Sequence, residues 1–169
     1  MQYSNTMKSV LSAAVLGFLA LGIAFTSANA QTDPATTTFG VSATVLKDCI
    51  VSATALAFGN YTGAVNSAQS TVTVTCTNTT TYTVGLGPGL ATGATVTTRQ
   101  MQNGTALLNY GLFSNATWTT NWGNTSATNW VSGTGNGSGQ ALTVYGQIPA
   151  GQYVTPGSYT DTITATVTY

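Results

Sequence analysis

The sequence is dominated by a two-residue alternation of apolar and hydroxyl side chains, which is most regular in Ser70–Thr77. There Val72, Val74 and Cys76 face one way, and the intervening threonines face the other. Because successive side chains of a strand point to opposite faces, this pattern predicts a strand with one buried face. Further strands are predicted at Leu56–Phe58, Tyr82–Leu86, Thr95–Met101, Leu107–Phe113, Leu142–Ile148 and Tyr159–Tyr169.

The connections between these runs are rich in glycine, asparagine and proline, and no helical periodicity follows residue 30. Short strands at this spacing predict an all-β domain, best described as an immunoglobulin-like sandwich. Asn103-Gly104 is a hairpin signal. We expect Arg99 to lie on the exposed face of its strand, and Asn115–Gly139 to be irregular.

The first thirty residues have the pattern of a secretory signal peptide. Lys8 supplies a positive charge, Val10–Phe25 is apolar, and Ala28-Asn29-Ala30 is a small-x-small cleavage signal. We therefore predict a signal peptide at 1–30, cleaved after Ala30. An uncleaved membrane anchor is the alternative.

The segment Thr38–Leu46 is a second regular alternation, placed before the predicted sandwich. The residues on its apolar face are Phe39, Val41, Ala43 and Val45. Without this segment, and apart from the short run Leu56–Phe58, we count about six core strands, whereas an immunoglobulin-type sandwich needs about seven. The apolar run Tyr159–Tyr169 would then leave an unpaired edge beside an open core, which is an aggregation hazard unless another strand pairs with it. Either the leading segment folds back into its own domain, or a neighbouring molecule supplies a strand. We therefore divide the exported chain into a leader and strand at 31–46 and a sandwich at 47–169.

Charged residues make up only 4% of the chain, and histidine is absent. After cleavage the charges are Lys47, Arg99, Asp33, Asp48 and Asp161, a net charge of −1. This excludes electrostatic nucleic-acid binding, which needs clustered lysine and arginine. General acid–base catalysis and metal binding also lack their usual residues. Gly85-x-Gly87-x-Gly89 indicates a turn, because no lysine or helix follows it. We expect no enzyme activity, no cofactor, no metal and no small-molecule substrate.

The two cysteines, Cys49 and Cys76, predict a single disulfide in an exported chain. Such a bridge is worth roughly 3–4 kcal/mol on the chain-entropy model. Two free buried thiols are the alternative.

Trp118, Trp122 and Trp130 lie in the irregular region and have two interpretations. Exposed aromatic rings can stack on sugars or on a partner protein, whereas buried rings pack over the sandwich. We favour packing for Trp122 and one other tryptophan.

Several motifs in order resemble the spore coat protein U domain family, which includes subunits of archaic chaperone–usher pili. They cover nearly all of Phe39–Tyr169. They are Phe39-x-Val41-x-Ala43-x-Val45 before Cys49, Leu56-Ala57-Phe58-Gly59-Asn60-Tyr61, Ser70–Cys76, Leu108-Asn109-Tyr110-Gly111-Leu112-Phe113, Trp122-Gly123, Val144-Tyr145-Gly146-Gln147-Ile148-Pro149-Ala150-Gly151-Gln152 and Pro156-Gly157-Ser158-Tyr159-Thr160-Asp161-Thr162.

The resemblance implies an incomplete, pilin-type immunoglobulin-like fold that lacks its last strand. A periplasmic chaperone would lend a strand, an outer-membrane usher would export the subunit, and the next copy or a sibling pilin would supply the final strand. By position, the donor residues are Phe39, Val41, Ala43 and Val45, and the acceptor groove and chaperone contact include Ile163, Ala165, Val167 and Tyr169. Asp161 fits the family pattern, but the sequence gives it no physical role.

The sequence thus predicts a pilus subunit that is exported through the periplasm to the cell surface and serves adhesion and biofilm formation. The alternatives are a spore or cell-surface coat protein of the same fold and a secreted carbohydrate-binding module that uses its tryptophans.

Overall fold

The computed structural model describes residues 33–125 and 129–169, and the predicted signal peptide at 1–30 lies outside them. Within these ranges there are eight strands. They are β1 (Cys49–Ala53), β2 (Asn66–Cys76), β3 (Thr81–Leu86), β4 (Arg99–Asn103), β5 (Ala106–Phe113), β6 (Val131–Thr134), β7 (Gln140–Ile148) and β8 (Ala165–Thr168). No helix in the described ranges is long and apolar enough to cross a membrane.

The strands form two sheets, one of five strands in the order β1-β2-β7-β5-β4 and one of three in the order β6-β3-β8. Every pairing is antiparallel. The longest ladder joins β2 to β7 from Asn66↔Ile148 to Val74↔Gln140. The inner faces of both sheets contribute to one hydrophobic core, so the predicted all-β sandwich is confirmed.

Core positions follow the alternation read from the sequence. Val72, Val74 and Cys76 are buried on β2, and Tyr82 and Val84 are buried on β3. Trp122 is also buried, and its Nε1 donates to Val84 O at 2.9 Å. The hairpin prediction is confirmed as well, because β4 and β5 are joined by a tight turn at Gly104-Thr105.

Several predicted strand bounds are wrong. Leu56–Phe58 forms no strand, and of Tyr159–Tyr169 only Ala165–Thr168 is a strand. The strand β6 lies within the stretch predicted to be irregular. A strand needs a hydrogen-bonded partner, and the first two segments lack one along most of their length.

The chain divides into two units after Ser42. In the first unit, residues 33–42 contain no strand. In the second unit, residues 43–48 also contain no strand. The alternation at Thr38–Leu46 therefore forms no strand in this structure.

Arg99 is the largest departure from expectation, because it is fully buried rather than exposed. The hairpin register pairs Arg99 with Tyr110, an inward-facing residue of β5. The side chain therefore points into the sandwich, where backbone carbonyls surround its guanidinium group.

A candidate strand-binding cleft

An open apolar cleft of about 400 Å³ lies between two segments that run along the sandwich, Ala53–Phe58 and Tyr159–Ala165. Its floor is formed by core side chains of both sheets. These are Val72, Leu86, Met101, Tyr110, Leu112 and Val144.

The first wall of the cleft, Ala53–Phe58, departs from the five-stranded sheet at the end of β1. Thr54 still bonds to β2, because its N–H donates to Thr71 O and its Oγ1 accepts from Thr71 N, both at 3.0 Å. Beyond it, Leu56 and Phe58 pack over Gly146 of β7, where a Cβ would lie only 2.8 Å from Leu56 Cδ1. Glycine at this position lets the wall approach the sheet without a ladder of hydrogen bonds.

The second wall is held at Thr160 and Asp161. Thr160 pairs with Gln102 of β4 through backbone hydrogen bonds of 2.8 and 3.1 Å. The Asp161 carboxylate accepts from Leu90 N at 2.8 Å and from the Tyr110 hydroxyl at 2.6 Å. A side chain at Gly89, whose φ is +94°, would collide with this carboxylate. Asp161 therefore ties the cleft wall to the Gly89 turn and to the cleft floor.

Arg99 lies behind this cluster and holds four backbone carbonyls. Its Nε donates to Gly87 O at 2.8 Å, and its Nη1 donates to Val96 O at 2.7 Å. Its Nη2 donates to Leu86 O at 2.8 Å and to Trp122 O at 2.7 Å. We call this set the Arg99 clamp. Since a planar guanidinium group has five fixed donors, it satisfies several carbonyls that would otherwise be buried without partners.

Burial shifts the pKa values of Arg99 and Tyr110. Desolvation lowers the pKa of Arg99 to about 10, although Tyr110 and Asp161 act in the opposite direction. Desolvation raises the pKa of Tyr110, and its hydrogen bond to Asp161 raises it further. Tyr110 is therefore a neutral hydrogen-bond donor at ordinary pH.

The cleft includes two of the four predicted acceptor residues, Ile163 and Ala165. Val167 is half-buried on β8 opposite Val84. Tyr169 is exposed, and its hydroxyl lies 3.4 Å from Asp48 Oδ1. Sequence reasoning missed the other wall at Leu56 and Phe58 as part of the site, because it treated that stretch as an ordinary strand.

The predicted donor residues are exposed. The exposed fraction is 85% for Phe39 and Val41 and 84% for Val45, and Ala43 is exposed as well. The predicted bridge between Cys49 and Cys76 is present and joins β1 to β2.

The described residues give no sign of a metal centre. No group of three or more histidine, cysteine, aspartate or glutamate side chains comes together in 33–125 and 129–169.

Among solved structures, the chain is similar to one in the crystal structure of the CsuC–CsuE chaperone–tip adhesion subunit pre-assembly complex from archaic chaperone–usher Csu pili of Acinetobacter baumannii. The identity is 26%, the TM-score is 0.57, and the match covers 75% of this chain. It spans 41% of the other chain, so the two proteins correspond over only part of that protein's length. Comparison with curated protein sequences found no match.

The model of the Spore Coat Protein U domain matches residues 35–166. This range includes the exposed segment Thr38–Leu46, both walls of the cleft, the disulfide and the Arg99 clamp. By this match over most of its length, the chain belongs to the Spore Coat Protein U domain family.

Proposed function

We propose that this chain is a structural subunit of a secreted chaperone–usher pilus that polymerises by donor-strand complementation. The observation that carries the proposal is the open apolar cleft beside β8. In the described chain β8 pairs with β3 along one edge, and its other edge has no partner strand. Membership of the Spore Coat Protein U domain family and similarity to a chain of a pilus subunit–chaperone complex support it.

The cleft has the properties that strand addition requires. An incoming strand can form main-chain hydrogen bonds with the free edge of β8 and place alternate side chains between the walls. From Asp161 to Ala165 the wall is roughly 13 Å long at 3.3 Å per residue. This length suits about three inward-facing residues of a strand, whose side chains recur every second position.

The donor in this proposal is Thr38–Leu46 of a second copy or a sibling subunit. Burying an exposed large side chain such as Phe39 or Val41 contributes about 1.5–3 kcal/mol. Ala43 contributes less, so its position in the acceptor would be shallow.

Before assembly, a periplasmic chaperone would occupy the same cleft, and an outer-membrane usher would then export the subunit. The similar solved structure contains a chaperone with a tip adhesion subunit, which supports a chaperone as the first partner. The assembled fibre would lie outside the cell and serve adhesion and biofilm formation.

The sharpest test is a charge on one face of the proposed donor strand. Val41→Asp should abolish polymers, because it would bury a carboxylate in an apolar cleft. Ser42→Asp is the matched control, since it adds the same charge to the opposite face and should leave polymerisation unchanged. Unboiled SDS gels and light scattering of the mature chain report polymer length. Normal polymers from Val41→Asp would contradict the proposal.

Deletion of 31–46 tests the same proposal independently. The full mature chain should give a ladder on unboiled gels, and the truncated chain should not. A full-length chain that remains a monomer and unfolds on truncation would mean that the strand completes its own domain.

A spore or cell-surface coat protein of the same fold is the second candidate, because the matching family bears that name. Export that does not require a chaperone and usher would favour the coat over the pilus.

A further inference from the structure

A second depression, separate from the cleft, lies on the outer face of the three-stranded sheet. It is shallow and open, with a volume of about 700 Å³. Its lining shares no residue with that of the cleft, so ligands at the two places would not compete directly.

Strand register builds a row of hydroxyl groups across this face. Thr83 of β3 lies opposite Ser132 of β6 on one side and opposite Thr168 of β8 on the other. Thr81 and Thr134 form a second pair two residues along the strands. Adjacent strands are about 4.8 Å apart, so the face is a small lattice of evenly spaced hydroxyl groups.

These hydroxyl groups are available to an outside partner. Within 33–125 and 129–169, none of the five side chains hydrogen bonds to protein, whereas Thr77 and Thr80 elsewhere bond to each other at 2.7 Å. A hydroxyl can both donate and accept, as the hydroxyls of a sugar can.

Aromatic side chains border the row. Trp130 is half-buried just before β6, and Tyr169 is 51% exposed just after β8. The face of an aromatic ring offers a flat apolar surface for the C–H face of a pyranose, while neighbouring hydroxyls bind the polar edges.

The absence of charged side chains in the lining of the depression favours an uncharged partner. Its lining contains no aspartate, glutamate, lysine or arginine. The nearby Asp48, in contact with the Tyr169 hydroxyl, would disfavour an acidic chain. The surface therefore complements a neutral chain that is rich in hydroxyl groups.

We infer that the outer face of the β6-β3-β8 sheet binds neutral polysaccharide, with Trp130 as the stacking residue and Thr83 at the centre of the polar row. The lining of this site shares no residue with that of the cleft. Each copy of the protein would then bind polysaccharide, so a fibre would hold a polysaccharide matrix along its whole length.

Beads carrying dextran, galactomannan or hydroxyethylcellulose test the inference, with alginate beads as the acidic comparison. The full mature chain should bind at least one neutral polysaccharide saturably and should not bind alginate. Trp130→Ala should weaken binding about tenfold, which corresponds to about 1.4 kcal/mol. Thr83→Val should weaken it severalfold, through loss of one hydroxyl with little change of shape.

Two variants serve as matched controls. Trp118→Ala removes another partly exposed tryptophan, and Thr73→Val changes a half-buried threonine of the five-stranded sheet. Both should bind as the wild type does, and Trp130→Ala should still polymerise. Trp130→Tyr keeps an aromatic face, so it should restore binding if the ring is what matters.

Absence of binding to all three neutral polysaccharides, preference for alginate, or equal losses in the site and control variants would overturn the inference. Thr83→Val decides the question if Trp130→Ala fails to fold.

Discussion

The Arg99 clamp and the open cleft differ in how the groups that face the inside of the sandwich are covered. At the clamp, one side chain of β4 donates to four backbone carbonyls, including the carbonyl of Leu86 at the end of β3. At the cleft, the segments Ala53–Phe58 and Tyr159–Ala165 remain apart over an apolar floor. The first region is completed from within the chain, whereas the second leaves apolar side chains uncovered between its two walls.

The two regions are physically joined by Tyr110. Its ring lines the cleft, and its hydroxyl donates to Asp161, whose charge in turn acts on Arg99. An open site in a sandwich needs a rigid frame, because unsupported walls would close over an apolar floor.

The largest expected effect comes from breaking the clamp. Arg99→Met should destabilise the sandwich by about 4 kcal/mol, because it leaves four carbonyls without their donor. The stability of Arg99→Lys should lie between those of the wild type and Arg99→Met, since an ammonium group cannot reproduce the planar arrangement of guanidinium donors. Denaturant unfolding in a Val41→Asp background, chosen to prevent polymers, measures both. A lysine variant as stable as the wild type would show that charge alone suffices.

Removing the disulfide should have the next largest effect. The double variant Cys49→Ser/Cys76→Ser should lose about 3 kcal/mol, because the bridge closes a loop between residues 27 apart. The bridge also holds β1 against β2, and the first wall of the cleft continues from β1. Ser52→Ala in the same strand is the control, and thermal unfolding with and without a reductant is the measurement. Equal stability of the oxidised and reduced wild type would contradict this prediction.

A cleft residue should behave differently from a clamp residue. Ile163→Ala should cost about 1 kcal/mol in the empty subunit, where the side chain is only half-buried, and about 2–4 kcal/mol once a donor strand covers it. Unfolding of the Val41→Asp background with and without an added Thr38–Leu46 peptide measures this difference. Equal costs in the two states would mean that the peptide does not cover Ile163.

The smallest effect is a pH dependence at the junction of the two regions. The pKa of Tyr110 is raised in the folded state, so above pH 10 the unfolded chain releases this proton and the folded chain keeps it. The contribution of Tyr110 to stability is therefore complete below pH 10 and is lost above it, by up to about 1.4 kcal/mol per pH unit. The stability difference between the wild type and Tyr110→Phe should decrease accordingly in unfolding experiments from pH 8 to 11. A difference that stays constant over this range would contradict the assigned pKa shift.

Much of the fold could be predicted from local patterns. The alternation at Ser70–Thr77 identified buried positions of β2, and Asn103-Gly104 marked the hairpin. The burial of Arg99 could have been predicted too, because counting back from that hairpin turn places it opposite Tyr110. The missed signal was the register, since an arginine is usually exposed and composition alone favoured that expectation.

Two features depended on contacts between residues far apart in the chain. The second wall of the cleft is held in place because Asp161 bonds to Leu90 and Tyr110, and no local pattern specifies those contacts. The hydroxyl row likewise needs β6 and β8 to flank β3 in one register.

The sequence by itself determined the all-β class and the faces of the long strands, because both depend on residue types at short spacing. The two cysteines of the bridge and the ordered motifs of the family could also be read directly from it. Only the tertiary structure decided which segments became walls of the cleft instead of strands. It also decided which backbone carbonyls accept hydrogen bonds from Arg99 and which hydroxyl groups lie side by side on the β6-β3-β8 sheet. These outcomes depend on long-range pairing, in which a segment's role is fixed by the partner that it meets.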